Sequence, residues 1–492
     1  MTAAAVPVPA RAASPRARHV PLALPWRLLR LELRRSVMLW MLPLVVALFW
    51  FDTYRGSVMP LPPLWGLRAG AMQQHSLIDF CPFVAGGAAW MGSRDARRRT
   101  RELVSVTALP RWGRQLATWA AAASWTAAVY LGCVAALYAA TARQAAWGGP
   151  LWWPVAVGAA GVAAASALGF AAGALCPSRF TAPLAAVVTL VAMVAAFKAG
   201  LTSHATYGLV SPLNLQYSGG WYDAGIFYPY LPGLPMDQVL FLAGLAAAAL
   251  GVLGLPRASG GRTLRRAAAA VTVAGLAAAG TAVGLAGTAR LEAHGIVIPA
   301  LDDAADGRPV PYTPVCGSAS VPICLHPAYR PYLPAVTAAL GPVLSQVTGL
   351  PGAPVRVDQV PTASAGNQMA AISGRPPVLR LPLGDLGLPG SSGWTGTDFA
   401  VQLRLLLADA VVGVGSPAQQ AVRAALLADA GVPLNAQPAA LAFSGAPGPA
   451  PGAAVYAAAR GLAALPAAAR HAWLAAHLAA LRAGHISLEQ IP

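Results

Sequence analysis

The sequence predicts an α-helical polytopic membrane protein with about six to seven transmembrane helices, followed by a small mixed α/β extracytoplasmic domain. Hydrophobic residues make up 57% of the 492 residues and charged residues only 10%. About a quarter of an ordinary soluble chain is charged. Because the apolar residues also cluster in long runs, much of this chain requires lipid as its solvent.

Seven apolar runs are long enough, at about 18 residues, to cross the hydrocarbon core of a bilayer. They lie near 36–52, 76–92, 115–141, 151–176, 180–199, 238–255 and 266–288. The residues before the first run do not read as a cleavable signal peptide. Their basic region is too long, and no small-residue cleavage site closes the apolar run.

The segment 93–116 lies between two apolar runs and carries seven Arg against Asp95 and Glu102. Arg-rich loops remain in the cytoplasm by the positive-inside rule. With this segment inside, nineteen basic residues face the cytoplasm, against Glu32, Asp95 and Glu102. We therefore predict a cytoplasmic N-terminus and an extracytoplasmic C-terminal domain. The net charge of +17 then reflects membrane topology and not a nucleic-acid partner.

The chain divides into four regions. Residues 1–35 contain a cytoplasmic tail and an interfacial amphipathic helix, with Arg and apolar residues on separate faces. Residues 36–288 form the transmembrane domain, 289–314 a linker, and 315–492 the extracytoplasmic domain. In the last region, helical patterns near 327–348, 397–412, 416–430 and 465–483 alternate with the strand-like stretches PVRVDQV and PVLRLPL.

Two cysteines, Cys316 and Cys324, lie in the predicted extracytoplasmic part, where disulfides persist. A disulfide between them would stabilise the domain by about 2–3 kcal/mol in the chain-entropy model. The alternatives are two free thiols or half of a metal site. No second Cys pair or nearby His pair would complete a zinc site.

An interfacial helix, a first span and a basic amphipathic helix between spans two and three together resemble the permease subunits of ABC-2 type transporters. The matching stretch contains Thr100, Glu102, Leu103, Val104, Leu109, Pro110 and Arg111, with Arg99 where the family usually has Gly. The resemblance covers about residues 25–255. It implies a permease that exports an unknown substrate across the plasma membrane, as a homodimer or as a heterodimer with a second permease. The Ala-rich composition suggests a bacterium with a GC-rich genome.

The resemblance also implies a cytoplasmic coupling helix near 94–112, which docks on an ABC ATP-binding subunit, and an external hairpin loop at 200–237. The aromatic residues of this loop suit an interfacial belt at the membrane surface. In the coupling helix Leu103, Val106 and Leu109 form an apolar ridge with charged residues beside it. The predicted partner-coupling residues are Arg98, Arg101, Glu102, Leu103, Val106, Leu109 and Arg111. The alternative is a basic interfacial helix that binds anionic membrane lipid.

The sequence contains no P-loop, and its only Lys is Lys198. ATP and Mg²⁺ are therefore expected in a separate subunit, with no cofactor, metal or catalytic residue in this chain and no enzyme activity of its own. The histidines of the C-terminal domain lack His-Glu-x-x-His spacing, and Asp409 reads as an exposed or capped helical residue. Asp79 is expected near the outer end of its span. The alternative function is a multi-span anchor for an extracytoplasmic sensor, scaffold or degenerate hydrolase domain.

Overall fold

A computed structural model describes residues 23–97, 110–200, 205–217, 224–256, 261–292, 294–303, 307–317, 319–362, 370–384, 396–437 and 452–492. Its N-terminal part, the membrane region, consists of helices. Their bounds are α1 Ala23–Arg34, α2 Met38–Leu48, a π-helical segment Phe49–Val58, α3 Trp65–Gly92, α4 Arg94–Arg97, α5 Arg111–Ala142, α6 Trp152–Leu175, α7 Thr181–Gly200, a 3₁₀ turn Thr206–Val210, α8 Ala224–Phe227, α9 Gly233–Val252 and α10 Arg262–Ala286.

Five of the described helices, α5, α6, α7, α9 and α10, are long and apolar enough to cross a membrane. A sixth span is obtained from the bent pair Trp26–Arg34 and Met38–Val58, whose axes meet at 58°. The structure therefore confirms a membrane-embedded helical protein. Helix α3 has 28 residues and begins at Trp65, well before the apolar run predicted at 76–92. Its first half carries charged and amide side chains, so it is long enough to span but less apolar than the five.

The ends of the helices form two groups. At one end, which we call the basic end, Arg94 contacts Glu32, and the Trp112 indole donates to the carbonyl of Leu250 over 2.9 Å. At the opposite end, which we call the domain end, Thr206 donates to the carbonyl of Gly287, and the C-terminal domain packs on the loops. The antiparallel course of the helices brings Arg94, Arg97, Arg111 and Arg262 to this basic end.

Small residues allow α3 and α6 to approach each other closely. A Cβ atom at Gly169 or Gly173 would overlap the backbone carbonyl of Ala85 or Ala89. Helices α9 and α10 meet in the same way, because a Cβ at Gly244 would lie 2.7 Å from both the Ala279 nitrogen and the Gly275 oxygen. Such contacts are typical of helix packing in membranes.

The C-terminal domain combines a mixed sheet with helices, as the sequence predicts. The strands are β3 Val315–Gly317, β4 Ile323–Leu325, β5 Arg356–Val360, β6 Ala371–Ser373 and β7 Val378–Pro382, in the order β3-β4-β5-β7-β6. Strands β4, β5 and β7 run parallel, and the edge strands β3 and β6 are antiparallel to their neighbours. The helices are α11 Leu333–Val347, α12 Gly396–Val412, α13 Pro417–Asp429, α14 Ala453–Ala464 and α15 Ala467–Arg482.

The segment predicted as a linker contains a short hairpin, β1 Arg290–Glu292 with β2 Gly295–Val297. The loop 200–237 was expected to place its aromatic residues in an interfacial belt. Instead, Phe227 is buried in the core of the C-terminal domain, and the buried Tyr217 contacts Tyr230 edge to face at 5.7 Å. Phe227 thus joins the loop to the C-terminal domain, and protein covers these rings where the prediction assumed lipid.

Candidate functional site

The predicted coupling segment is described in part. Arg98, Arg101, Glu102, Leu103, Val106 and Leu109 lie outside the described residues, whereas Arg111 is the first residue of α5. The residues that enter the segment form α4, Arg94–Arg97. The structure therefore gives the two flanks of the candidate docking site.

A two-point ion pair joins α1 to the start of this segment. Arg94 donates from Nη1 to Glu32 Oε2 over 2.9 Å and from Nη2 to Glu32 Oε1 over 2.7 Å. The Glu32 side chain is 10% exposed and that of Arg94 is 24% exposed. Such partly buried, bidentate pairs are stronger and geometrically more specific than exposed ones. Sequence analysis gave Glu32 no role, although it is the only acidic residue of a basic helix.

Further contacts anchor both sides of this pair. The Arg97 guanidinium lies 3.4 Å from the centroid of the Trp90 ring and donates to the Trp90 carbonyl over 2.6 Å. The Trp125 indole of α5 donates to the carbonyl of Leu33 over 2.9 Å. Helix α1 is thus held by α4 and by α5, and α4 in turn contacts the end of α3.

Polar side chains also lie inside the bundle. Thr53, in the π-helical segment, donates to Asp79 Oδ2 over 2.8 Å, and both residues are buried. One helical turn away, His75 Nδ1 lies 3.6 Å from Asp52 Oδ2. Because α3 begins at Trp65, Asp79 lies in the middle of this helix and not near its end. Segments of π-helix occur frequently at functional sites.

An apolar cleft of about 390 Å³ lies between the first turns of α2, the second half of α3 and the first turns of α7. Its lining includes Trp40, Met41, Phe83, Trp90 and Pro183. Helix α7 has no buried residue. The cleft can accept only apolar groups, such as a lipid chain.

At the domain end, His326 joins the C-terminal domain to the loops of the membrane region. Its ring centroid lies 4.6 Å from that of Trp147, 5.2 Å from that of Phe227 and 4.3 Å from that of Tyr312. The Ala328 amide donates to His326 Nδ1 over 3.1 Å, so the neutral ring carries its proton on Nε2. Burial lowers the pKa of His326 to about 4, while the Ile226 carbonyl acts in the opposite direction.

The structure brings Cys316 and Cys324 together as opposite residues of β3 and β4, with their sulfur atoms 2.06 Å apart in a disulfide bond. The Cα atoms are 4.0 Å apart. This cross-strand bridge fixes the edge of the sheet.

The other chemistry-bearing residues of the C-terminal domain have structural partners. Asp409 accepts from Arg423 Nη1 over 2.9 Å, which ties α12 to α13. His471 Nε2 lies 3.1 Å from the Thr348 carbonyl, and His477 Nδ1 lies 2.8 Å from the Trp473 carbonyl. Among the described residues no group of three His, Cys, Asp or Glu side chains could hold a metal ion.

The carboxyl of Asp237 is a buried acid that the sequence does not predict. Asp237, which the sequence places at the end of the external loop, lies in the second turn of α9 and is completely buried. Its neighbour Gln238 donates to the carbonyls of Leu209, Ser211 and Asn214 and so fixes the 3₁₀ turn against α9. A Pro-Met-Asp-Gln stretch before an apolar run gives no signal that the carboxyl is enclosed.

Compared with models of protein families, with curated proteins and with solved structures, the chain has no match.

Proposed function

We propose that the chain is the transmembrane permease subunit of an ABC-2 type exporter, which moves a substrate across the plasma membrane with ATP hydrolysed by a separate subunit. The proposal extends the resemblance of residues 25–255. It is supported by the helical membrane region, the bent α1–α2 pair and the Arg residues at the helix ends of the basic end.

The observation that carries the proposal is the ion pair between Glu32 and Arg94. An exporter of this kind needs a rigid connection between the place where the ATP-binding subunit docks and the spans that move. Arg94 lies at the entrance of the predicted coupling segment, and Glu32 lies in α1, which leads through a 58° bend into α2. A displacement of the segment therefore acts on the first span through two hydrogen bonds.

The partner would bind the apolar ridge of Leu103, Val106 and Leu109 and would contact Arg98, Arg101, Glu102 and Arg111 at its rim. Such an interface buries a few anchor side chains and surrounds them with charge. The orientation with the basic end in the cytoplasm follows from the positive-inside rule. A second permease copy would complete the translocation path.

The test is reconstitution of the full chain with an ATP-binding subunit encoded beside it. Leu103→Asp places an unpaired charge in the apolar contact, at a cost on the order of several kcal/mol, and we expect it to abolish co-purification. If the segment binds anionic lipid instead, neutralising Arg97, Arg98, Arg99 and Arg101 weakens that lipid binding gradually, by about 1 kcal/mol per residue. A folded Leu103→Asp chain that keeps its partner and its coupled ATPase rate refutes the coupling assignment.

The ion pair provides a second, independent arm. We expect Glu32→Arg and Arg94→Glu to leave the partner bound but to reduce transport-coupled ATPase activity at least tenfold. The double exchange restores the attraction and with it most of the activity. Arg30→Glu, at an exposed position of the same helix, is the control and has little effect. If all four variants kept the ATPase activity of the wild type, the ion pair would contribute only to the stability of the fold and not to coupling.

A further inference from the structure

The carboxyl of Asp237 lies where the membrane region meets the domain end. Asp237 is 0% exposed, and within the described part of the chain neither of its oxygens has a hydrogen-bond partner. Buried polar atoms in native proteins almost always have such a partner. Two unsatisfied oxygens on one carboxyl therefore require a chemical explanation.

The neighbours of α9 that the structure describes supply no cation. Gly244 meets α10 at Gly275 and Ala279, so Asp237, two turns closer to the domain end on the same face, is directed at the turn of α10 near Ala282. The ionisable residues of α10 are Arg262, Arg265 and Arg266, which lie about 24 Å or more from Ala282 along the helix.

The other elements against α9 are equally poor in charge. Helix α6 contains no ionisable side chain. The 3₁₀ turn contributes only Tyr207, which is 54% exposed, and β2 contributes none. In the described ranges, no positive charge reaches Asp237 to form an ion pair.

A second carboxylate, Asp302, lies at the same helix end and is in the opposite situation. Its Oδ1 accepts from the amide of Gly233, the first residue of α9, over 2.8 Å, and its Oδ2 accepts from the amide of Ile298 over 2.8 Å. Asp302 thus has two donors and the favourable end of the helix dipole.

An ionised carboxylate without partners in an apolar interior is so unfavourable that such a group is neutralised instead. We propose that Asp237 is a proton-binding site: the structure holds it as a neutral carboxylic acid, and proton binding is linked to the packing of α9 against α10 and the 3₁₀ turn. Water that reaches the carboxyl when these elements separate would release the proton. Conversely, the bound proton favours the closed packing.

The test compares full-length wild-type chain with Asp237→Asn and Asp302→Asn in lipid nanodiscs. Asn is nearly isosteric with the neutral acid and does not titrate. We expect Asp237→Asn to be at least as stable as the wild type at pH 7. Relative to this variant, the wild type loses about tenfold in its folding equilibrium for each pH unit above the ordinary Asp range, as thermal unfolding between pH 5 and 8 would show. Asp302→Asn, whose carboxylate serves two amides, should lose at least tenfold at pH 7.

Two results would overturn the proposal. One is an Asp237→Asn chain that is tenfold or more less stable than the wild type at pH 7. The other is wild-type stability that follows the concentration of Na⁺ or K⁺ at constant pH, which would mean that a metal cation occupies the site. If Asp237→Asn does not fold, infrared spectra decide: the wild type at pH 7 must show a protonated carboxyl band that shifts in Asp237→Glu. The absence of such a band would contradict the proposal that Asp237 is protonated.

Discussion

The membrane region and the C-terminal domain build their interiors from different residues. Helices α3 and α6 meet through Gly169 and Gly173, whose backbones touch the carbonyls of the opposite helix. The C-terminal domain encloses a continuous core of large side chains, such as Leu340, Leu379 and Leu403, which are all 0% exposed. In lipid, apolar side chains gain little by leaving the solvent, so close backbone approach replaces apolar burial as the source of stability.

Because its helices meet through glycines, the membrane region should be destabilised most by substitutions that add side-chain atoms. Gly169→Val together with Gly173→Val drives two side chains into backbone carbonyls of α3. Overpacking usually costs about 1–3 kcal/mol per site, and it costs more against a backbone that cannot move. We therefore expect the double variant not to fold. Gly132→Ala in α5 is the control, because a Cβ there meets nothing within 4 Å. Size-exclusion chromatography of extracted protein provides the measurement, and a monodisperse double variant would contradict the packing.

The C-terminal domain should be sensitive to atoms removed. Leu340→Ala in α11 empties a fully buried position and is expected to destabilise the domain by about 2–5 kcal/mol. Leu291→Ala, at a position that is 62% exposed, makes the same chemical change with an effect within about 0.5 kcal/mol. Limited proteolysis of the domain at increasing temperature measures both. Equal effects of the two substitutions would contradict the view that the C-terminal domain depends on its buried apolar side chains.

The junction between the regions should respond to acid. The pKa of His326 is 6.5 in an unfolded chain and about 4 in the folded one. The unfolded state therefore binds more protons between these values, and stability falls as the pH decreases. Between pH 7 and pH 5 the loss is about 2 kcal/mol. His326→Asn keeps an acceptor for the Ala328 amide but does not titrate, so its thermal stability should lack this dependence; an unchanged pH profile would remove His326 as the cause.

Several elements follow directly from local sequence. The helical patterns at 397–412 and 416–430 match α12 and α13, and the strand-like stretches match β5 and β7, because a period of 3.6 or 2 in a half-buried element is visible in the chain itself. Ser416 and Gln419 even form the capping box that starts α13. Other element boundaries that depend on the local pattern of buried residues could be predicted in the same way.

Other features depend on partners distant in sequence. Helix α3 begins at Trp65 because its polar first half packs on loops, and Gln73 donates to the carbonyl of Pro212, 139 residues away. The enclosure of Asp237 and the pairing of Glu32 with Arg94 arise only after the helices assemble. Helix α14 is absent from the predicted helical patterns, because its Ala-rich composition gives little periodic signal. Local pattern therefore identified the elements better than the polar sites between them.

The contact between Phe227 and Val310 links the chain before α9 to the chain after α10. The Val310 amide, after α10, donates to the Phe227 carbonyl, before α9, over 2.8 Å, and the Phe227 ring lies in the core of the C-terminal domain. The folded domain therefore contacts the segments on both sides of this helix pair, the one before α9 and the one after α10. In this way the folded C-terminal domain holds together the two chain segments that flank the α9–α10 hairpin at the domain end.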